Sequence, residues 1–254
     1  MKRFLFGIIT PIFLIIISCD KNDSEVTNED GLNGEISTVD QNGNTFSIAS
    51  IGNQTWMTEN LNVDKFRNGD VIMQATNFAQ WQTAISNQQP AWCYINFSSS
   101  NGVIYKKIYN WYAVIDSRGL APEGWHIPND NEWWTLVNYL GGKEVAGKKM
   151  KTVSGWDAWC TPGSGGTMAC YGPNANTNES GFSALPGGFI NPEANGTYSF
   201  LRFKMMANFW SRSANNASWA VNAAIGSNHD DFYDNFSYWE EREYYGFYVR
   251  CIAD

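Results

Sequence analysis

The start of the chain limits where its folded part can begin. Two basic residues, Lys2 and Arg3, precede an apolar run of fourteen residues at positions 4–17. A helix needs about 20 apolar residues to cross a bilayer, so this run is too short for a transmembrane segment and is typical of a secretory signal peptide. We therefore expect this N-terminal segment to be removed and the rest of the chain to fold outside the cytoplasm.

The residues that end this run predict a lipid anchor. Ile16-Ile17-Ser18-Cys19 resembles the bacterial lipobox, in which an aliphatic residue and a small residue precede a cysteine. The resemblance implies cleavage after Ser18 and acylation of Cys19, whose acyl chains would hold the protein to membrane lipid, and several chains bind far more firmly than one. The alternative is an ordinary signal peptide in which this cysteine is incidental.

Residues 19–36 are polar and acidic and contain few large apolar side chains. Such a segment cannot offset the entropy cost of ordering, so we predict a flexible tether followed by one domain at residues 37–254. An acidic run directly after a lipidated cysteine also resembles the surface-export signal of Bacteroidetes-type lipoproteins. That resemblance implies an outer-membrane location with the domain at the cell surface, and the periplasmic face is the alternative.

Composition excludes several classes of function. The net charge is −8 and no basic stripe occurs, which argues against a nucleic-acid partner. Two histidines are too few for a metal site built from several imidazoles, and we expect neither a metal nor another cofactor. The 23 glycines and the frequent asparagines favour turns, so many short strands fit better than a helical bundle.

The four cysteines beyond Cys19 predict two disulfides, because an even number in an exported chain is typical of disulfide pairing. Four cysteines allow three connectivities, and the sequence alone does not choose among them. Cys160 and Cys170 enclose a glycine-rich segment that can fold back, so this pair is our first expectation. Cys93–Cys251 then follows by elimination.

The best local signal is a capping box at the start of a helix. Asn129 can accept a hydrogen bond from the amide of Glu132, and the carboxylate of Glu132 can reach back to the amide of Asn129. Apolar residues recur at helical spacing after it, and Gly141-Gly142 ends the run. We predict a helix at about 130–140 and a weaker helix or turn at 143–150.

The remaining elements are predicted from apolar periodicity and turn residues. Residues 45–57 read as a β-hairpin, and residues 79–86 as one or two helical turns. Residues 152–180 are expected to form a long irregular loop. Short strands are predicted at 182–189, 209–213, 218–223 and 246–252, and the last of these is expected to pair near the N-terminal hairpin.

Six motifs together resemble one family. They are residues 51–61 (IGNQTWMTENL), 92–94 (WCY), 109–114 (YNWYAV), 121–128 (APEGWHIP), 181–188 (GFSALPGG) and 246–251 (GFYVRC). This set resembles the Fibrobacter succinogenes major paralogous domain family, from about residue 40 to the C-terminus. The resemblance implies an α+β, C-type-lectin-like fold: a mixed sheet closed by its terminal strands, one or two helices and a long irregular loop region. It implies no particular activity, and Ala121 stands where many relatives carry a cysteine.

The loop at 152–180 supplies the candidate binding residues. Trp156, Trp159 and Tyr171 lie among small polar residues, and Asn174 could add hydrogen bonds. An exposed aromatic ring can stack on a sugar or anchor a protein interface, so we expect a non-catalytic binding module for glycan or an envelope protein. The alternative is that these rings hold the loop down, as we expect for the core tryptophans Trp56, Trp111, Trp125, Trp133 and Trp210.

Two other functions remain open from the sequence. The first is a structural accessory subunit of an outer-membrane assembly. The second is an oxidase related to the formylglycine-generating enzyme, although the cysteine spacing favours structural bridges over reactive thiols. His126, next to a helix cap, is interpreted as structural, and the acidic stretch at 230–235 as a solvated loop without calcium.

Overall fold

The structure is a computed structural model that describes residues 37–162, 168–173, 175–214, 220–234 and 244–254. Within these residues a short 3-10 turn spans Ile95–Phe97, and there are five α-helices. The helices are α1 (Phe78–Ser86), α2 (Ser99–Tyr105), α3 (Trp111–Val114), α4 (Asp130–Tyr139) and α5 (Lys143–Met150). None of the described helices has the length and apolar character needed to cross a membrane.

The strands of the described residues are short and lie throughout the domain. They are β1 (Ile48–Ile51), β2 (Gln54–Met57), β3 (Met73–Gln74), β4 (Ala91–Cys93), β5 (Ile108–Asn110), β6 (Trp125–His126), β7 (Trp159–Pro162), β8 (Met168–Tyr171), β9 (Phe189–Pro192), β10 (Tyr198–Leu201), β11 (Met206–Ala214), β12 (Ala220–Gly226), β13 (Phe232–Asp234), β14 (Gly246–Phe247) and β15 (Ile252–Ala253).

These strands form four sheets, and the fold is α+β. The strand orders are β1-β2-β15-β6, β10-β9-β14-β5-β4-β3, β11-β12-β13 and β7-β8. The six-stranded sheet is mixed, because β3 runs parallel to β4 while its other pairs are antiparallel. The prediction of many short strands is confirmed, but five helices replace the one or two that were expected.

The N-terminal hairpin and the chain end are joined in the four-stranded sheet. β1 and β2 pair through the Gly52-Asn53 turn, as predicted for residues 45–57. Ile252 of β15 lies opposite Trp56 of β2 on one side and opposite His126 of β6 on the other. The last strand therefore closes the domain against the N-terminal hairpin, as the sequence predicted.

The prediction of one continuous strand at 246–252 is wrong. The segment contributes β14 to the six-stranded sheet and β15 to the four-stranded sheet. Between them Arg250 is buried and donates hydrogen bonds to the carbonyls of Met57 and Phe182 and to Oδ1 of Asn60. Because this arginine binds groups from two distant segments, at 57–60 and at 182, it fixes the point where the chain passes between the sheets.

The capping box predicted for α4 is confirmed. The amide of Glu132 donates to Oδ1 of Asn129 over 3.1 Å, and the amide of Asn129 donates to Oε2 of Glu132 over 2.8 Å. Trp133, Leu136 and Val137 form the buried face of the helix. The helix predicted at 143–150 is confirmed as α5.

The five tryptophans predicted for the core are all buried. The core consists of two apolar clusters: Trp56 and Trp133 belong to one, and Trp111, Trp125 and Trp210 to the other. β11 lies between the clusters, since Phe209 points into the first and Trp210 into the second. Alternation along a strand places neighbouring side chains on opposite faces, so this strand is packed on both sides.

Two loop and strand predictions need correction. The region 152–180 is not irregular throughout, because β7 and β8 form an antiparallel hairpin within it. The strand expected at 182–189 is absent from the described residues there, and β9 begins only at Phe189. Ser183 and Gly188 adopt positive φ values of 56° and 69°, which interrupt an extended chain.

The cysteine predictions are half right. Cys160 and Cys170 lie directly opposite each other in the β7–β8 hairpin and form a disulfide, as predicted. The expected Cys93–Cys251 bridge is not formed, and both residues are buried free thiols. Cys93 lies in one apolar cluster and Cys251 in the other. The predicted bridge therefore joined two residues that belong to different clusters of the core.

Candidate functional site

The candidate residues from the 152–180 region have different surroundings. Trp156 is only 6% exposed, and its Nε1 donates to Oγ1 of Thr152, so its ring is part of the core. Tyr171 is 56% exposed at the end of β8. Trp159 is half-buried on β7, directly opposite Tyr171. Asn174 lies outside the described residues.

The β7–β8 hairpin holds Trp159 in place. The disulfide joins Cys160 to Cys170 one position along from the pair of Trp159 and Tyr171. A covalent link between directly opposite residues fixes the register of the two strands, and register decides which face each side chain takes. The hairpin therefore presents Trp159 in a defined orientation towards the rest of the domain.

A cavity of about 300 Å³ lies between this hairpin, the six-stranded sheet and the three-stranded sheet. This volume is at the lower end of the range for ligand pockets, about 300–1,000 Å³, so the space suits a small ligand or the end of a longer one. The described residues that line it come from β7, β9, β10, β11, β12, β14 and the adjoining turns. They are Trp159, Phe189, Asn191, Leu201, Arg202, Met206, Asn208, Asn222, Tyr245 and Phe247.

Aromatic rings form much of the cavity wall. The rings of Tyr245 and Phe247 are stacked with centroids 5.6 Å apart, and Phe189 lies 5.8 Å from Phe247. Behind them Trp210 contacts Phe247 at 4.5 Å and donates from Nε1 to the carbonyl of Tyr109. Because each ring packs against the next, this part of the wall is closely packed and largely apolar.

Two asparagines interrupt this apolar wall. Asn208 and Trp210 point to the same side of β11, and the register pairs Trp210 with Asn222 of β12, so all three share one face. Asn208 and Asn222 are each 3% exposed and border the cavity. Two side-chain amides therefore face the cavity among side chains that are otherwise apolar on this part of the sheet.

The side-chain amide of Asn208 contains an unsatisfied hydrogen-bond acceptor. Oδ1 of Asn208 is buried and has no hydrogen-bond partner in the part of the chain that the structure describes. A buried polar atom without a partner costs about 1–3 kcal/mol. A hydroxyl or amide of a ligand in the cavity would supply the missing donor.

Arg202 stands at the rim of the cavity. It belongs to the turn between β10 and β11, and its guanidinium carbon lies 3.9 Å from the ring centroid of Trp159. This is a cation–π contact, which favours a guanidinium lying over the face of the indole. The side chains of Arg202 and Trp159 thus border the cavity together.

The comparison with protein families identifies the chain. The model of the Fibrobacter succinogenes major domain matches residues 49–253. The chain belongs to this family. The resemblance predicted from the six motifs is confirmed. No curated protein and no solved structure matches the chain.

In this member of the Fibrobacter succinogenes major domain family, the second candidate cluster surrounds His126. Its Nδ1 lies 2.7 Å from Oδ1 of Asp254, and its Nε2 lies 2.7 Å from Oε1 of Glu132. Because carboxylates engage both ring nitrogens, neither nitrogen is left to activate a nucleophile. The imidazole ties the chain end to the start of α4, which fits the structural interpretation of this residue.

The acidic stretch that begins at residue 230 lies against α5. The amide of Lys148 donates to the carbonyl of Asp230, and Nζ of the buried Lys151 donates to the carbonyls of Gly226 and His229. Desolvation lowers the pKa of Lys151 to about 8, although the negative charges of Asp230 and Asp231 oppose the shift. Among the described residues no group of three or more histidines, cysteines and acids is arranged to hold a metal ion.

Sequence reasoning missed most of the cavity. Asn208, Asn222 and Arg202 were not selected, although the two asparagines carried a readable signal. Each sits next to alanine or a large apolar residue in a run with strand character, ANFW and VNAA. A polar side chain in such a run has to find a partner within the fold or bind something from outside.

Proposed function

We propose that this protein is a non-catalytic binding module of the cell envelope and that it binds carbohydrate in the cavity beside Trp159. Of the aromatic residues predicted to bind, Trp159 borders the cavity. Trp156 is buried and is not part of the proposed site. Sugars present apolar C–H faces together with hydroxyl groups. The cavity offers aromatic rings together with side-chain amides, which is the matching combination.

The observation that carries this proposal is that Asn208 lines an aromatic cavity and that its Oδ1 has no hydrogen-bond partner among the described residues. An apolar ligand would leave that acceptor without a donor. A sugar hydroxyl would donate to it while the ring of the sugar contacts Phe247 or Tyr245. Neutral hydroxyl donors suit this position because a second acceptor, such as a carboxylate, would repel the amide oxygen.

The oxidase alternative requires thiols that substrate can reach. Cys93 and Cys251 are completely buried, and burial raises the pKa of both thiols above the ordinary cysteine range. The thiolate is the reactive form, so two buried thiols of this kind are poor nucleophiles. Among the described residues the other two cysteines, Cys160 and Cys170, are joined in the β7–β8 hairpin. This arrangement favours binding over thiol chemistry.

The test is a glycan-array screen of the purified full-length chain, followed by calorimetric titration of the glycans that bind. We expect Trp159→Ala and Asn208→Leu each to weaken binding by about tenfold or more. The first variant removes an aromatic contact with the sugar, and the second removes the acceptor for its hydroxyl. Tyr139→Ala removes an exposed aromatic ring on α4 and serves as the control.

Three outcomes separate the alternatives. Binding that survives both Trp159→Ala and Asn208→Leu contradicts the cavity as the site. Loss of binding in Tyr171→Ala but not in Asn208→Leu would move the site to the exposed end of the hairpin. Failure to bind any glycan, combined with stable co-purification of a membrane protein, would favour the accessory-subunit function instead.

We also propose that acylated Cys19 anchors the domain to the outer membrane, facing the cell surface. The support is the lipobox-like Ile16-Ile17-Ser18-Cys19 and the acidic run that follows it. Metabolic labelling with a palmitate analogue in the native host should modify the wild-type chain and not Cys19→Ser. Protease treatment of intact cells then distinguishes the surface from the periplasmic face.

The C-type-lectin-like fold is likewise a proposal. It is supported by the closure of the domain through the pairing of β2 with β15, and by the strand pair β7–β8 within the long region between α5 and β9. A crystal structure superposed on C-type-lectin domains would test it, and a different strand order in the closing sheet would overturn it.

A further inference from the structure

Resting on the proposed function, we infer that the bound sugar carries a carboxylate and that Arg202 binds this carboxylate at the rim of the cavity. The ligand class is therefore an acidic saccharide of the uronic-acid type. Its carboxylate lies against the guanidinium, while its hydroxyls face Asn208 and its ring contacts the aromatic wall.

The first observation is the position of the guanidinium. Its central carbon lies 3.9 Å from the ring centroid of Trp159, and both residues border the cavity. Stacking on an aromatic face uses the flat side of the guanidinium and leaves its N–H edge free to bind a carboxylate in two-pronged geometry. A stacked arginine is therefore already oriented for a planar anion.

The second observation is that Arg202 makes no ion pair among the described residues, in a protein with 25 acidic side chains. Arg118, by comparison, binds Asp70 at 3.0 Å and Asp116 at 2.8 Å. Arg67 lies 3.8 Å from Glu123 and donates to three backbone carbonyls. Within the part of the chain that the structure describes, the charge of Arg202 is thus available at the mouth of the cavity.

The third observation concerns the backbone. Arg202 has a φ of +58°, and Lys204 in the same turn has a φ of +62°. Glycine or asparagine adopts this conformation at lower cost than a long side chain does. The amides of Met205 and Met206 both donate to the carbonyl of Arg202, which holds the conformation. The turn therefore holds the backbone of Arg202 in one defined conformation beside the cavity.

The size of the cavity sets the extent of the ligand. About 300 Å³ is enough for a small ligand, so the recognised part is a terminal sugar and not a long chain lying along a groove. Asn208 and Asn222 face the inside of this space, and Arg202 stands at its rim. The carboxylate is therefore expected at the outer end of the sugar and its hydroxyls at the inner end.

The experiment compares matched sugars that differ in the carboxylate. Full-length protein is titrated calorimetrically with glucose and glucuronate and with galactose and galacturonate, and with acetate as the carboxylate without a sugar. We expect at least one uronate to bind about tenfold or more tightly than its neutral partner, the scale of a charged hydrogen-bonded pair. Arg202→Gln and Arg202→Gly should abolish this preference, and Arg202→Gly also suits the positive φ.

Lys204→Gln is the matched control, since it removes a cation from the same turn that does not line the cavity. It should keep the preference for the uronate.

Equal affinity for a uronate and its neutral partner would overturn the inference and leave the proposed carbohydrate function standing. An equal loss in Lys204→Gln and Arg202→Gln would overturn it too, because general attraction would then explain the preference. Acetate binding as tightly as a uronate would also overturn it, and failure to bind any sugar would count against both proposals.

Discussion

Asn60 and Asn208 are two buried asparagines with opposite environments. Asn60 is 2% exposed, its Nδ2 donates to the carbonyl of Tyr105, and its Oδ1 accepts from Nη2 of Arg250. Asn208 is buried equally well but has an acceptor with no partner in the described residues. The same residue type therefore stabilises the fold at position 60 and costs stability at position 208.

This contrast predicts opposite effects of one substitution. Asn208→Leu should raise the free energy of unfolding of the unliganded protein by about 1 kcal/mol, because an apolar side chain removes an unsatisfied amide from a roomy apolar site. Asn60→Leu should lower it by about 2–3 kcal/mol, since Arg250 and the carbonyl of Tyr105 lose their partner. Urea unfolding followed by tryptophan fluorescence measures both.

The two variants also act as each other's control. Both remove a buried amide, so a nonspecific effect of the apolar replacement would move both stabilities the same way. If Asn208→Leu is as destabilising as Asn60→Leu, the amide of Asn208 has a structural partner and the argument for a ligand at that position fails. A stabilised Asn208→Leu that no longer binds sugar would show that this position favours binding over stability.

The elements that local chemistry determines could be predicted from the sequence. The start of α4 depends on Asn129 and Glu132, which lie three residues apart, and the β1–β2 hairpin depends on a two-residue turn. The division of residues 246–252 between two sheets depends on Arg250 meeting Met57 and Phe182, which no local pattern records. The cavity was missed for the same reason, because its lining comes from six strands and the adjoining turns.

Lys151 connects α5 to the end of β12 and to the loop after it. Its Nζ donates to the carbonyls of Gly226 at 2.9 Å and His229 at 2.6 Å, and its side chain is fully buried. Burial disfavours the ammonium form and lowers the pKa to about 8, whereas an unfolded lysine keeps its ordinary value near 10.4. Between these two values the unfolded chain binds more protons than the folded one.

Stability contributed by this residue should therefore rise with pH above about 8. We expect the difference in free energy of unfolding between wild type and Lys151→Met to shift in favour of wild type by about 1–2 kcal/mol from pH 7.5 to pH 9.5. Taking the difference removes the opposing contributions of the buried thiols of Cys93 and Cys251, whose raised pKa values are common to both proteins. Lys143→Met, which replaces an exposed lysine at the start of α5, supplies the baseline. A difference that does not change with pH would show that Lys151 is not held as a desolvated cation.

At the scale of the whole molecule, the chain end is part of the core. Ile252 is buried between Trp56 and His126, the amide of Met57 donates to the carbonyl of Cys251, and the amide of Asp254 donates to the carbonyl of Gly124. Two segments that are more than 60 residues apart, β2 and β6, are therefore neighbours only because β15 lies between them. The four-stranded sheet is therefore incomplete without residues 252–253.

Removing residues 252–254 should therefore abolish cooperative folding. The deletion takes away a buried isoleucine, worth about 2–5 kcal/mol, together with the backbone hydrogen bonds that β15 gives to β2 and β6, each worth about 1 kcal/mol. That sum approaches the total stability of a typical domain, about 5–15 kcal/mol. Near-ultraviolet circular dichroism should show the loss of fixed tryptophan environments.

Deleting Asp254 alone removes only its contacts with His126 and Gly124 and should leave a cooperative transition, because Ile252 still fills its place between β2 and β6. If the three-residue deletion unfolds as cooperatively as the one-residue deletion, the closing strand is dispensable and the two apolar clusters hold the domain together without it.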